Sequence, residues 1–291
     1  MKARTESMAD LPRIFDRARV ARHLVRRQAP DDFILPLVLA DLDDRLMAVT
    51  RRLEAALILA PAIDALPTLG RTAEGAFSYA HIATMDRGTG ETTADPEQLV
   101  LPRTDYDLIV SLFDLGITND VVGFLARLRA HLRPDGLLIA VTPGGLTLSE
   151  LREAFIAAEA ALFGGASPRV APMIPLQDAA SLLQRVGLAL PVTDVETHKV
   201  RYAHPLRLMA ELKALGAQNP LADRPAHITT RGLIAKASEI YAERFSDPDG
   251  RVRATLELVW MSGWAPHESQ QKPARRGSAT ISLKDVLEKK A

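Results

Sequence analysis

The residues with the widest chemical repertoire gather late in the chain, in the string GWAPHESQQ from Gly263 to Gln271. The imidazole of His267 suits a general base or a metal ligand, with Gln270 beside it as a candidate catalytic partner and Glu268 as a candidate substrate contact. Trp264 offers a face on which a guanidinium can stack, an interaction worth about 0.5–2 kcal/mol. The same residues have a plainer reading, in which His267 and Gln270 satisfy backbone groups after a final strand and Trp260 packs in the core. The chain has 7 histidines and none falls in a His-x-x-x-His or His-Glu-x-x-His spacing. No sequence-local His-His-carboxylate set exists either, so no metal is expected. Cysteine is absent, which removes thiolate nucleophiles, thiolate metal sites and disulfides together and suits a reducing compartment.

Two further segments have the look of ligand loops. In LEAALILAPAIDALPTLG (53–70) a buried strand runs into a turn where a nucleotide-type fold would carry glycines, yet the turn holds Ala60, Pro61 and Ala62. Proline fixes φ and removes a backbone donor, so a ligand cradle there is weakened. The one literal Gly-x-Gly, Gly88-Thr89-Gly90, precedes the next clear strand by fewer than about twenty residues, too few for a crossover helix, a strand and a second helix. It reads as a surface turn.

The elements that must position these groups follow from periodicity. Residues 13–28 and 32–52 have helical apolar spacing, the second through Leu35, Val38, Leu39, Leu42, Leu46 and Val49. Strands are expected at about 55–60, 76–84, 108–112 and 137–141, with a short helix or turn after the first and a helix over 119–132 that closes in Arg133-Pro134-Asp135-Gly136. Strands separated by helices indicate parallel βαβ units and a doubly wound α/β sheet. Helices are then expected at 147–163, 176–186, 204–215 and 228–245, an extended segment at 188–202 and a last strand at 252–263. Thr147 or Ser149 would cap the first of these helices, with Glu150 complementing its dipole. The resulting division is N-terminal helices over 1–52; an α/β core from 53–145, 188–202 and 252–283; a helical lid from 146–187 and 203–250; and a tail over 284–291. Such a lid would lie over the carboxyl ends of the sheet, where open α/β sheets bind ligands.

The stretch DPEQLVLPRTDYDLIVSLFDLGITNDV (95–121), followed by FLARLRAHLRPDGLLIAV, resembles the second half of class I S-adenosylmethionine (SAM) methyltransferases. A more specific likeness lies in GGLTLSELREAFIAAEAALFGGASPRVAP, NPLADRP, YAERFSDPDGRVRATLELVWMSGW and GWAPHESQQKPARRGSATISL, together with the early tetrad IFDR at 14–17. These are similar to the NADH dehydrogenase (respiratory complex I) assembly factor 5 family, related in turn to the malonyl-carrier-protein methyltransferase of biotin synthesis. The resemblance implies a class I SAM methyltransferase-like, Rossmann-like doubly wound sheet and a protein that acts on a side chain of a protein client, an arginine, during complex I assembly. It implies SAM as cofactor, with adenine near Asp95 and the strand end Ser111, Leu112 and Phe113, and the homocysteine part near Leu59, Ala60 and Pro61. The client would lie under the lid against Gly144, Gly145, Glu150, Arg152, Trp264 and Glu268. Two departures stand out: the missing glycine loop, and Leu115-Gly116-Ile117-Thr118-Asn119-Asp120 where the family pattern has Leu-His-Trp-x-Asn-Asp. The alternatives are a non-catalytic assembly or chaperone module with a degenerate SAM cleft, and a small-molecule methyltransferase of the biotin-synthesis type.

Composition bounds these readings without selecting among them. With 291 residues and 47% hydrophobic content the chain can bury a sizeable core. Lysine plus arginine equals aspartate plus glutamate at 36 each, so nothing in the net charge points to nucleic acid. No apolar run approaches the roughly 18–20 residues that span a bilayer, and the first thirty residues lack a signal-like apolar core. A cytoplasmic protein is the expectation. The basic opening segment (Arg13, Arg17, Arg19, Arg22, Arg26, Arg27) reads as a solvated helix face, with peripheral membrane contact as the alternative.

Overall fold

The strands that build the centre of the molecule are the ones richest in apolar residues. In the computed structural model, which describes residues 12–28, 32–225 and 228–271, β1 (Ala56–Ala60) and β4 (Tyr106–Leu112) are buried at every position. Burial on both faces is the signature of a parallel sheet covered by helices on either side. The others are β2 (Leu69–Thr72), β3 (Gly75–Ala83), β5 (Leu132–Pro143), β6 (Ala189–Tyr202) and β7 (Val252–Trp264). They form one seven-stranded sheet in the order β2-β3-β1-β4-β5-β7-β6. β3, β1, β4 and β5 are mutually parallel, and β7 runs antiparallel to both β5 and β6. A reversed strand inserted between the fifth and sixth strands is the sheet of the class I SAM methyltransferase-like fold.

Side chains alternate along each strand, so each face receives half of them. Leu57 and Leu59 of β1 join Ile109, Leu138, Val259 and Met261 under α3 (Val121–Ala130) and α5 (Leu176–Arg185). Ile58 joins Leu108, Val110, Ile139 and Trp260 under α2 (Ile34–Met47), which presents Val38, Leu42 and Leu46 from successive turns. Asp107, at the start of β4, ties the sheet to the chain entering β1 by accepting from the Glu54 and Ala55 amides, each at 2.7 Å.

The sequence reading of a short helix or turn after β1 is half right: the turn is there, and it is followed by the β2–β3 hairpin, whose Leu69 pairs with Ser78 and Thr72 with Gly75. The chain thus covers the sheet face beside β1 with α2, which precedes β1, and places no helix between β1 and the hairpin. The expected lid also needs correction. The helices α4 (Ser149–Phe163), α6 (Pro205–Ala214) and α7 (Arg231–Phe245) share a separate core with the start of β7, built on Leu151, Ala154, Leu208, Ala237 and Tyr241. α5, grouped with the lid on sequence, instead buries Ala179 and Leu183 in the sheet core, because its apolar stripe matches the face left open beside α3. α1 (Arg17–Val25) opens the described chain after a β-bridge between Phe15 and Leu221. Pro273, Gly277 to Ala279 and the 284–291 tail, singled out on sequence, lie outside the described residues.

Candidate functional site

In an open α/β sheet the ligand crevice lies outside the carboxyl ends of the strands, where neighbouring connections leave in opposite directions. Here that point is between β1 and β4, and a cavity of about 610 Å³ opens there. The β1 turn supplies Ala60, Pro61 and Ala62; β4 supplies Leu112 and Phe113 and the turn that follows supplies Gly116; the lid contributes Leu148 and Leu208, and the end of β6 contributes Tyr202. Phe113 sits in the left-handed region at φ 68°, held by its amide, which donates to Val141 O at 2.8 Å. A bulky residue in that region stores strain, and such residues cluster at functional sites. Gly116 keeps the floor open: a Cβ there would stand 3.3 Å from Thr142 Oγ1 and 3.7 Å from Pro143 Cδ.

The lining is mainly apolar, with carboxylates at Asp32 and Glu211 and cations at Arg27, Arg169 and Lys213. Asp32 accepts from the Ile34 amide at 3.0 Å and pairs with Arg27. Glu211 Oε1 accepts from the Tyr202 hydroxyl at 2.9 Å. Burial, followed by the hydrogen bond and charge of Glu211, pushes the Tyr202 hydroxyl above its ordinary range.

Beside the cavity lies a buried polar network that the sequence did not disclose. Asp114 is fully buried; one carboxylate oxygen accepts from Ser111 Oγ at 2.7 Å and the other from the Thr84 hydroxyl. Burial pushes this carboxyl up to about 6, against the hydrogen bonds of Thr84 and Ser111 and the charge of Arg17. Arg17, from the IFDR tetrad, donates to Ile117 O and to Thr84 O, each at 3.1 Å, and lies 3.3 Å from Asp95 Oδ1. On sequence Arg17 stood out only through that tetrad and as part of the basic opening segment, whose reading as a solvated face is corrected at this residue, since its side chain is largely buried.

SAM, the cofactor that the fold implies, is a poor match for these residues. Pro61 offers no amide donor, and no helix starts at the β1 turn to present amides or a dipole to a carboxylate. Asp95, the expected adenine contact, already accepts from the Glu97 amide at 3.0 Å and pairs with Arg17. Ser111 points its hydroxyl at Asp114. Ala60, Pro61, Leu112 and Phe113 are brought together as expected, but as an apolar wall, whereas Leu59 turns away from the cleft and is buried in the core under α3 and α5.

The remaining sequence candidates are distributed elsewhere. Because β7 is reversed, its Leu258 pairs with Pro143 at the cleft end and its Trp264 with Leu137 at the amino ends, about 20 Å away at roughly 3.3 Å per residue. His267, Glu268 and Gln270 follow Trp264 and so lie at the opposite end of the sheet from Pro61 and Phe113; their grouping with the SAM cleft is corrected on this ground. Gln270 Nε2 donates to Asp135 Oδ1 and Ala265 O, each at 2.8 Å, and the His267 amide donates to Gln270 Oε1 at 3.1 Å. Trp264 does stack on a guanidinium, the chain's own Arg51 at 4.4 Å. Arg51 in turn pairs with Asp135. The loop therefore ties the chain after β7 to the turn that starts β5.

Gly145 and Arg152 border a second cavity of about 920 Å³ between α4 and the segment after it. Gly144 lets the chain pass close to β7, since a Cβ there would stand 2.7 Å from Val259 Cγ2. Glu150 faces inward, accepting from the Thr255 amide at 3.1 Å and hydroxyl at 2.5 Å. Thr147 does not cap α4; its hydroxyl donates to Glu257 O at 2.9 Å. Among the described residues, no group of three or more His, Asp or Glu side chains is placed to hold a metal ion.

Comparison with known proteins shows what the chain is similar to. An arginine-hydroxylase NDUFAF5, mitochondrial, from Danio rerio is 35% identical over 193 residues, 66% of this chain and 60% of that protein. The chain is similar to other NDUFAF5 proteins as well, among them one from Homo sapiens at 36% identity over 198 residues, 68% of this chain and 57% of that protein. A malonyl-[acyl-carrier protein] O-methyltransferase from Laribacter hongkongensis is 36% identical over 176 residues, 60% of this chain and 56% of its own length. The chain thus spans about three fifths of the length of these curated relatives. The YcgJ protein of Bacillus subtilis, a solved structure, is 11% identical with a TM-score of 0.49, covering 80% of this chain and 99% of its own. No protein-family model matches the chain.

Proposed function

We propose that this protein acts in the assembly of respiratory complex I, on the cytoplasmic side, by taking an arginine side chain of a protein client into the cleft beside Pro61, Phe113 and Gly116. The observation that carries the reading is the lining of the cleft. Apolar walls suit the aliphatic stem of an arginine, the rings of Phe113 and Tyr202 offer stacking faces, and the carboxylate of Glu211 offers an acceptor for a guanidinium against the like charges of Arg27, Arg169 and Lys213 in the same lining. The likeness to proteins named arginine-hydroxylase supports the same client chemistry. Peripheral contact with the membrane that carries the client belongs to this reading. Among the described residues no helix is long and apolar enough to cross a membrane.

Whether the client is modified or only held divides this reading in two. Pro61 and the missing helix after β1 favour holding, and they weigh equally against a methyltransferase of the biotin-synthesis type. Deleting the gene and measuring NADH oxidation by isolated membranes tests the role in assembly, and parental oxidation would refute it. Mass spectrometry of complex I subunits from parent and deletion strains then separates the two forms. An arginine that gains one oxygen or one methyl group only in the parent means modification, and identical masses mean holding.

A further inference from the structure

The β1 turn offers SAM neither a helix start nor an amide at Pro61, and Asp95, the expected adenine contact, is paired with Arg17 from far along the sequence. We infer that Arg17 fills the nucleoside end of the ancestral cofactor position, and that residues 14–17 form a built-in strap which leaves the cleft to work without SAM.

The guanidinium is a donor-only fork, and it meets acceptors from three separate segments. These are the carbonyl of Thr84 just after β3, the carbonyl of Ile117 in the turn after β4, and the carboxylate of Asp95. Ile117 lines the β1/β4 cavity and the Thr84 amide donates to Ala60 O at 2.9 Å, so the fork lies beside the crevice where a nucleoside would have to find its own partners. The side chain is 15% exposed, so it is packed in place and does not sweep the surface. Its charge also faces Asp114, whose buried carboxyl it holds down against the effect of burial.

The backbone just before Arg17 is pinned. The Phe15 amide donates to Asn119 Oδ1 at 2.7 Å, and Asn119 is itself held by Glu97 Oε1 through its amide at 2.9 Å and its Nδ2 at 2.7 Å. The Asp16 amide donates to Pro220 O and the Ala222 amide to Ile14 O, each at 2.8 Å, and Arg224 pairs with Asp16 at 3.2 Å. The ring of Phe15 is buried with Ala171 and Leu221. The strap therefore joins the ends of β3 and β4 to the loop that follows α6, and a ligand that took Asp95 Oδ1 would have to break its contact with Arg17.

The test is a calorimetric titration of the full chain with SAM and with S-adenosylhomocysteine, alongside thermal unfolding and chymotrypsin cleavage at Phe15. The parent protein should give no heat and no change in midpoint at about 1 mM ligand, where a micromolar site would be saturated and visibly stabilised. Arg17→Ala should lower the midpoint by several degrees and open Phe15 to cleavage, and Arg17→Lys should restore little, since one ammonium cannot reproduce the fork. Saturable SAM binding by the parent below millimolar concentration would overturn the inference. So would an Arg17→Ala protein with the parental midpoint and an uncut Phe15. If Arg17→Ala does not fold, Asn119→Ala removes the acceptor for the Phe15 amide and keeps Arg17; it should also expose Phe15, and continued protection there would refute the strap. These readouts use no client, so failure of the proposed assembly role leaves them standing, and the converse holds.

Discussion

Replacing Asp114 by Asn should change how stability depends on pH more than it changes stability at any one pH. The carboxyl is fully buried and its folded-state pKa is pushed up to about 6 by burial, whereas an unfolded aspartate titrates near 3.9. Between these values the folded protein holds a proton that the unfolded chain releases, so stability falls as pH rises from about 4 to about 6 and is level beyond. A separation of about two pKa units corresponds to about 3 kcal/mol, of which roughly 2 kcal/mol falls between about pH 4.5 and pH 7.5. Asparagine does not titrate, keeps an acceptor for Ser111 or Thr84, and removes this slope. The assay is urea unfolding of parent and Asp114→Asn across that window, read as the difference between their unfolding free energies. Subtraction cancels carboxylates such as Asp16 and Asp64, whose folded-state pKa values are lowered and whose slopes run the other way. The parent's advantage over the variant should shrink by roughly 2 kcal/mol as pH rises across the window. A flat difference would refute a titrating carboxyl at this position, and a rising one would show that its charged form is favoured by the fold.

Other expectations follow from the same geometry. Gly116→Val should narrow the cleft against Thr142 and Pro143 and cut client capture at least about tenfold while costing about 1–3 kcal/mol in stability; parental capture would place the client elsewhere. Gln270→Ala removes hydrogen bonds to Asp135 and Ala265 and should lower stability by about 1–2 kcal/mol with client capture unchanged. Lost capture at parental stability would return a functional role to that loop. Leu42→Ala, at a side chain 1% exposed under the sheet, should cost about 2–5 kcal/mol in urea unfolding; a cost under about 1 kcal/mol would mean that α2 does not cover the β1 face.

Much of the architecture is legible in the residues because local pattern and burial agree. The apolar run of β1, the mainly apolar run of β4 and the one-face spacing of Val38, Leu42 and Leu46 match the elements they form. The β2–β3 hairpin escaped because Leu69–Thr72 is a four-residue strand whose exposed and buried positions alternate on weakly β-forming residues, and so resembles a turn. α5 was grouped with the lid because an amphipathic stripe says that a face is buried and does not say against what.

The candidate site divides along the same line. The chain by itself determined that the β1 turn lacks glycines, that Pro61 removes a donor, and that Phe113 and Gly116 follow a buried strand; these are properties of neighbouring residues, and they line the cleft. Only the tertiary structure decided what stands across from them. Arg17 reaches acceptors 67 and 100 residues away, a pairing that no local pattern encodes. The direction of β7 moved His267 and Gln270 from the cleft to the far end of the sheet. A strand's alternation is the same read up or down, so its sequence shows that it is a strand, and only its pairing with β5 shows which end its following loop will occupy.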